Sequence, residues 1–102
     1  MRNYSFNERL IFNIDDNSDN FDSFEKSVKY IKANLNIEIT KYYAGGWDIS
    51  YLYFKNEGID FELLYRDFGG TELSVNEDLS KPEILKAHQI ANDIYNAVNI
   101  TR

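Results

Sequence analysis

Asp60 and Glu62 are the residues whose type and spacing best suit chemistry in this chain. If they lie on one strand, their carboxylates point to the same face, because successive strand side chains alternate between faces. Metal-dependent nucleases place acids on neighbouring strands in this way to hold a divalent ion. The lysine that commonly stands two residues beyond the second acid is Leu64 here. Asp48 and Glu72 could extend an acidic cluster across adjacent strands, with Arg66 as a counter-charge. We nevertheless expect a solvated sheet face.

The other candidates for chemistry are isolated. His88 is the only histidine, and a general base or a metal-ligating histidine needs an orienting partner or companion ligands, which the nearby sequence lacks. The chain has no cysteine, which excludes a disulfide framework and a thiolate-bound metal. Gly45-Gly46 and Gly69-Gly70 lack the following helix and the Lys-Ser/Thr of a phosphate-binding loop. We predict no catalytic residue, no metal and no cofactor, and hence a protein that is not an enzyme.

Four apolar-rich segments in the middle of the chain predict consecutive antiparallel strands, at Ile37–Tyr43, Trp47–Lys55, Ile59–Asp67 and Thr71–Asn76. Glycine-containing breaks at 44–46, 56–58 and 68–70 separate them, and each has the length of a three-residue hairpin loop. Loops of odd length pair odd-numbered residues with odd-numbered ones. We therefore expect the odd-numbered side chains of all four strands to share one buried face.

The flanking segments complete a simple architecture. Tyr4–Ile14 predicts a first strand, which either edge of the sheet could accept. Apolar residues at three- and four-residue steps predict helices over about 20–34 and from about 81 to 99, and Ser80 with Glu83 forms a capping box for the second. The order β-α-β-β-β-β-α predicts one α+β domain over residues 1–102. It is a two-layer sandwich with both helices on one face of an antiparallel sheet of four to five strands.

The chain is acidic, with a formal net charge of −6. Binding to nucleic acid through a basic surface is not expected, and a basic protein is the favoured partner. No segment approaches the roughly 18 continuous apolar residues of a membrane span, and residues 1–20 lack the apolar run of a signal peptide. We therefore expect a cytoplasmic protein that does not enter a membrane.

If both helices cover the odd-numbered face, the even-numbered face is left for a partner. Its apolar side chains lie among charged ones, which is the composition of a protein-binding patch. The first strand or a second copy of the chain could instead cover this face, and the sequence leaves that alternative open. The predicted partner-binding residues are Glu38, Tyr42, Asp48, Leu52, Phe54, Asp60, Glu62, Leu64, Arg66 and Glu72.

In size, acidity, absence of cysteine and α+β layout, the chain resembles small bacterial immunity proteins, including those of contact-dependent inhibition systems. The resemblance implies an inhibitor that docks an acidic, aromatic-containing surface on a cognate basic toxin, such as a nuclease. We expect the chain to be a monomer or a weak homodimer. Two other functions remain open. One is a homo-oligomeric scaffolding domain, and the other is a small-ligand protein or enzyme with a pocket between helices and sheet.

Overall fold

Six strands and two helices form the described part of the chain, which comprises residues 1–15, 21–45, 48–67 and 69–99 of the computed structural model. In chain order they are β1 (Asn3–Phe6), β2 (Arg9–Asp15), α1 (Asp22–Asn34), β3 (Glu38–Tyr43), β4 (Ile49–Asn56), β5 (Ile59–Arg66), β6 (Gly70–Asn76) and α2 (Lys81–Asn99). The strands form one antiparallel sheet in the order β1-β2-β6-β5-β4-β3. The predicted α+β class is confirmed, but the sheet has six strands rather than four to five.

The additional strand arises because the predicted first strand is a hairpin. Asn7 and Glu8 have φ angles of 52° and 64°, and this left-handed pair turns the chain between Phe6 and Arg9. Two consecutive residues with positive φ form the tight turn that matches the twist of paired strands. β2 then pairs with β6, so β1 and not β2 lies at the edge of the sheet.

The turn between β4 and β5 corrects the predicted register. It contains two residues, Glu57 and Gly58, with φ angles of 49° and 82°, and not the three residues 56–58. Asn56 consequently pairs with Ile59, and an even-numbered residue of β4 opposes an odd-numbered residue of β5 throughout the ladder. Since side chains alternate along a strand, a loop shorter by one residue exchanges the two faces of β4.

The other strand pairings agree only in part with the prediction. Between β5 and β6 the predicted pairing of odd with odd residues is confirmed, because Leu63 opposes Leu73. The loops predicted at 44–46 and 68–70 include Gly46 and Phe68, which lie outside the described residues. β3 contains a bulge that the sequence pattern did not indicate. Ile39 opposes Phe54 and Lys41 opposes Tyr53, which leaves one extra residue between them.

Both helices pack on the same face of the sheet. Phe21 and Phe24 at the start of α1 contact the ring of Tyr65, and His88 of α2 packs edge-on against Phe12 with 4.9 Å between ring centroids. The strand residues buried beneath the helices are Phe12, Ile14, Leu52, Phe54, Ile59, Phe61, Leu63, Tyr65, Leu73 and Val75. They form one continuous core with the apolar stripes of the helices, as expected of a two-layer sandwich.

The second helix begins as predicted. Ser80 and Glu83 form a capping box in which the Ser80 backbone N–H and hydroxyl donate to Glu83 Oε1, at 3.0 and 2.8 Å. These hydrogen bonds lower the pKa of the Glu83 carboxyl, with the bond from the backbone as the largest cause. The first helix has no side-chain cap at Phe21. Neither helix is long and apolar enough to cross a membrane.

Candidate partner-binding face

The face of the sheet opposite the helices, here called the free face, is the candidate functional surface. No helix of the described chain packs on it, because the buried stripes of α1 and α2 belong to the core on the other side. Six of the ten predicted partner-binding residues lie on this face, which agrees with their register in β3, β5 and β6: Glu38, Asp60, Glu62, Leu64, Arg66 and Glu72.

Four predicted residues do not lie on the free face. Leu52 and Phe54 are 0% and 1% exposed and belong to the core, so they have no surface to offer a partner. Tyr42 opposes Leu52 and is therefore on the helix side, where the Lys32 ammonium lies 4.9 Å from its ring centroid. Asp48 precedes β4 and is exposed at the end of the sheet, where its carbonyl accepts the backbone N–H of Asp67. The physical reason for the first three errors is the two-residue turn after β4.

The same turn brings three tyrosines onto the free face that sequence reasoning assigned to the core. Tyr43, Tyr51 and Tyr53 form a tyrosine patch, with 5.8 Å between the first two ring centroids and 5.1 Å between the last two. Burial, followed by the nearby Glu62 carboxylate, raises the pKa of the Tyr53 hydroxyl, which stays protonated at neutral pH. Leu64 opposes Tyr51 across the β4–β5 ladder and adds apolar surface to the patch. If Glu57-Gly58 is taken as a two-residue turn, the sequence predicts that these tyrosines lie on the free face.

Charged groups on the free face are arranged in cross-strand pairs. Arg9 of β2 reaches over β6 to Glu62, with 3.4 Å between Nη2 and Oε2, and also donates to the Ser74 hydroxyl at 3.1 Å. Lys55 lies 3.9 Å from Asp60, its neighbour across the β4–β5 ladder. The predicted acids of β5 are therefore each beside a cation, and they do not form an unpaired acidic cluster.

The balance of charge on the free face corrects the expectation of a predominantly acidic surface. Its strand residues include four cations and four acids, namely Arg9, Lys41, Lys55, Arg66, Glu38, Asp60, Glu62 and Glu72. The net charge of −6 therefore arises from other parts of the chain. Tyr4 illustrates the mixed character of this face, because its hydroxyl donates to Glu72 Oε2 at 3.3 Å. Burial and that carboxylate raise the pKa of the tyrosine.

A shallow depression lies where β4 begins and β5 ends. It has a volume of about 430 Å³ and is lined by Asp48, Ile49, Arg66, Asp67 and Gly69. Ile49 and Arg66 oppose each other on the free face, so the depression presents an apolar and a cationic side chain two residues along the ladder from the Tyr51–Leu64 pair. Such a recess can receive a single side chain from a partner, which is how interface anchors are commonly seated.

His88, the remaining candidate for chemistry, lies on the helix side of the sheet. His88 is partly buried against Phe12, and no three His, Asp or Glu side chains converge as a metal site requires within the described ranges. The chain matches no protein-family model, no curated protein and no solved structure. Function is therefore inferred from the free face and its tyrosine patch.

Proposed function

We propose that this chain binds another protein through the free face and acts as an immunity-type inhibitor of a basic toxin domain. The observation that carries the proposal is the tyrosine patch, an aromatic cluster held on a six-stranded sheet with no helix of the described chain over it. Tyrosine and arginine are the residue types that most often dominate binding energy in protein interfaces, and Arg66 lies on the same face.

The tyrosine patch suits binding because its rings are already held in place. Tyr51 and Tyr53 lie on β4, which is paired on both sides, and each ring contacts a neighbouring ring. A side chain that is ordered before binding loses less conformational entropy when the partner arrives. Truncation of a well-placed tyrosine in such a site commonly costs about 2 kcal/mol of binding free energy.

Charge serves a different purpose from the tyrosines in this proposal. The free face is nearly balanced, whereas the whole chain carries a formal net charge of −6. The net charge accelerates the approach of a basic partner at long range, and this effect decreases as salt rises. The tyrosine contacts then determine how slowly the complex dissociates. We expect salt to change mainly the association rate and tyrosine substitution mainly the dissociation rate.

Tyr43 and Tyr42 offer a matched pair for the test. They are adjacent in β3 and 46% and 48% exposed, but they lie on opposite faces of the sheet. Immobilised wild type, Tyr43→Ala and Tyr42→Ala would be used to capture proteins from a lysate of the source cells. The proposal expects a basic protein that wild type and Tyr42→Ala retain and that Tyr43→Ala loses. Equal retention by all three variants would exclude the free face as the binding surface.

The inhibitory part of the proposal needs a separate measurement. The captured protein would be purified and assayed for nuclease activity with and without an equimolar amount of this chain. Loss of activity with wild type, and its recovery with Tyr43→Ala, is the expected result. Full activity in the presence of bound wild type would mean that the chain is a binding module and not an inhibitor of that enzyme.

A further inference from the structure

The outer backbone edge of strand β3 has no part in the proposed partner site, although Tyr43 of this strand belongs to the tyrosine patch. All six of its residues are exposed, and β4 is its only strand partner in the described chain. Ile39, Tyr42 and Tyr43 are large apolar or aromatic residues with 44–48% of their surface exposed. An edge strand of this kind presents unpaired backbone N–H and C=O groups, which are a template for a further strand.

The bulge in β3 places two opposite charges on one face of this edge. Glu38 opposes Lys55 and Lys41 opposes Tyr53, and both of these β4 residues point to the free face. In a regular strand, residues three positions apart would lie on opposite faces. The extra residue of the bulge brings Glu38 and Lys41 to the same side. Neither forms an ion pair with any residue in the described part of the chain.

We infer that β3 pairs in antiparallel fashion with β3 of a second copy of this chain, with Glu38 opposite Lys41 of that copy. A two-fold axis between the strands generates this ion pair twice. The same register sets Ile37 opposite Tyr42, and both residues belong to the helix side of the sheet. A shift of one residue would set side chains from opposite faces against each other, so the alternation of faces selects this register.

Charge complementarity identifies a second copy, and not an unrelated strand, as the occupant. A lysine on an edge strand normally discourages pairing, because an incoming apolar strand leaves the ammonium without a counter-charge. Antiparallel self-pairing supplies a glutamate for each Lys41. The pairing joins two six-stranded sheets into one and brings the two tyrosine patches to either side of the axis. This inference does not depend on the proposed inhibitory function.

Sedimentation velocity with charge-reversal variants tests the pairing. Wild type is expected to form a dimer as its concentration rises from low to high micromolar. Glu38→Lys and Lys41→Glu should each weaken the dimer by about tenfold or more, because each turns two attractive cross-strand pairs into two repulsive ones. The combined Glu38→Lys/Lys41→Glu variant should restore the wild-type dissociation constant. Lys81→Glu, an equal change of charge at an exposed position of α2, should leave that constant unchanged.

Three results would overturn the inference. The first is a wild-type chain that stays monomeric at high micromolar concentration and low salt. The second is a dimer that the single reversals leave unchanged, which would place the interface elsewhere. The third is a combined variant as weak as the single ones, which would show that Glu38 and Lys41 do not face each other. Circular dichroism of each variant verifies that the fold is intact, so that loss of the dimer is not loss of structure.

Discussion

Alanine substitution at two adjacent residues of β4 tests the assignment of its faces. Phe54 is 1% exposed and stacks on Phe61 with 5.1 Å between ring centroids and 8° between ring planes. Phe54→Ala removes a fully buried ring and should lower the free energy of unfolding by about 3–5 kcal/mol. Tyr53 lies on the free face and has one close ring contact, with Tyr51 at 5.1 Å. Tyr53→Ala should therefore cost only about 1 kcal/mol.

Urea unfolding followed by circular dichroism measures both effects through the midpoint, provided that the slope of the transition is unchanged. A domain of this size has a total stability of about 5–15 kcal/mol, so Phe54→Ala could leave little folded protein. Phe54→Leu, which retains most of the buried volume, gives a milder loss and keeps the comparison measurable. A larger loss for Tyr53→Ala than for either Phe54 variant would refute the two-residue turn and the tyrosine patch together.

The remaining predictions concern the turn itself and the start of α2. Gly58→Ala should lower the free energy of unfolding by about 1–2 kcal/mol in urea titrations, because alanine is strained at a φ of 82°. No atom lies near enough to clash with the added Cβ, so this loss of stability comes from backbone strain alone. Glu57→Asn should leave the free energy of unfolding unchanged or raise it, since asparagine tolerates the left-handed conformation. An equal loss of stability from Gly58→Ala and Glu57→Asn would contradict the two-residue turn. Glu83→Gln should destabilise the protein at neutral pH but not in acid. The folded-state pKa of Glu83 is lowered, so its contribution is present above the ordinary value of 4.5 and is lost as pH falls through the folded value. Thermal unfolding at several pH values measures this difference, and a difference that persists at low pH would show that the carboxylate is not its cause.

Local signals account for the parts of the fold that could be predicted. The capping box needs only Ser80 and Glu83 three residues apart, and its hydrogen bonds form within a single helical turn. The strand segments and the helical stripes follow from periodicity over a few residues. The hairpin at Asn7-Glu8 escaped prediction because neither residue is glycine, yet both adopt positive φ. Asparagine before a second polar residue is a weaker turn signal than a glycine pair.

The sequence by itself determined that this chain folds as an α+β domain with its helices on one side of an antiparallel sheet. Periodicity alone could not decide which face of β4 is buried, because Leu52 and Phe54 compete with Tyr51 and Tyr53 and both sets suit a packed strand. Strand order decided that Glu62 meets Arg9, since the two are brought together over an intervening strand. Strand pleating repeats every two residues, so one residue more or fewer in a turn exchanges core and surface. The free face was therefore fixed by hairpin geometry and not by composition.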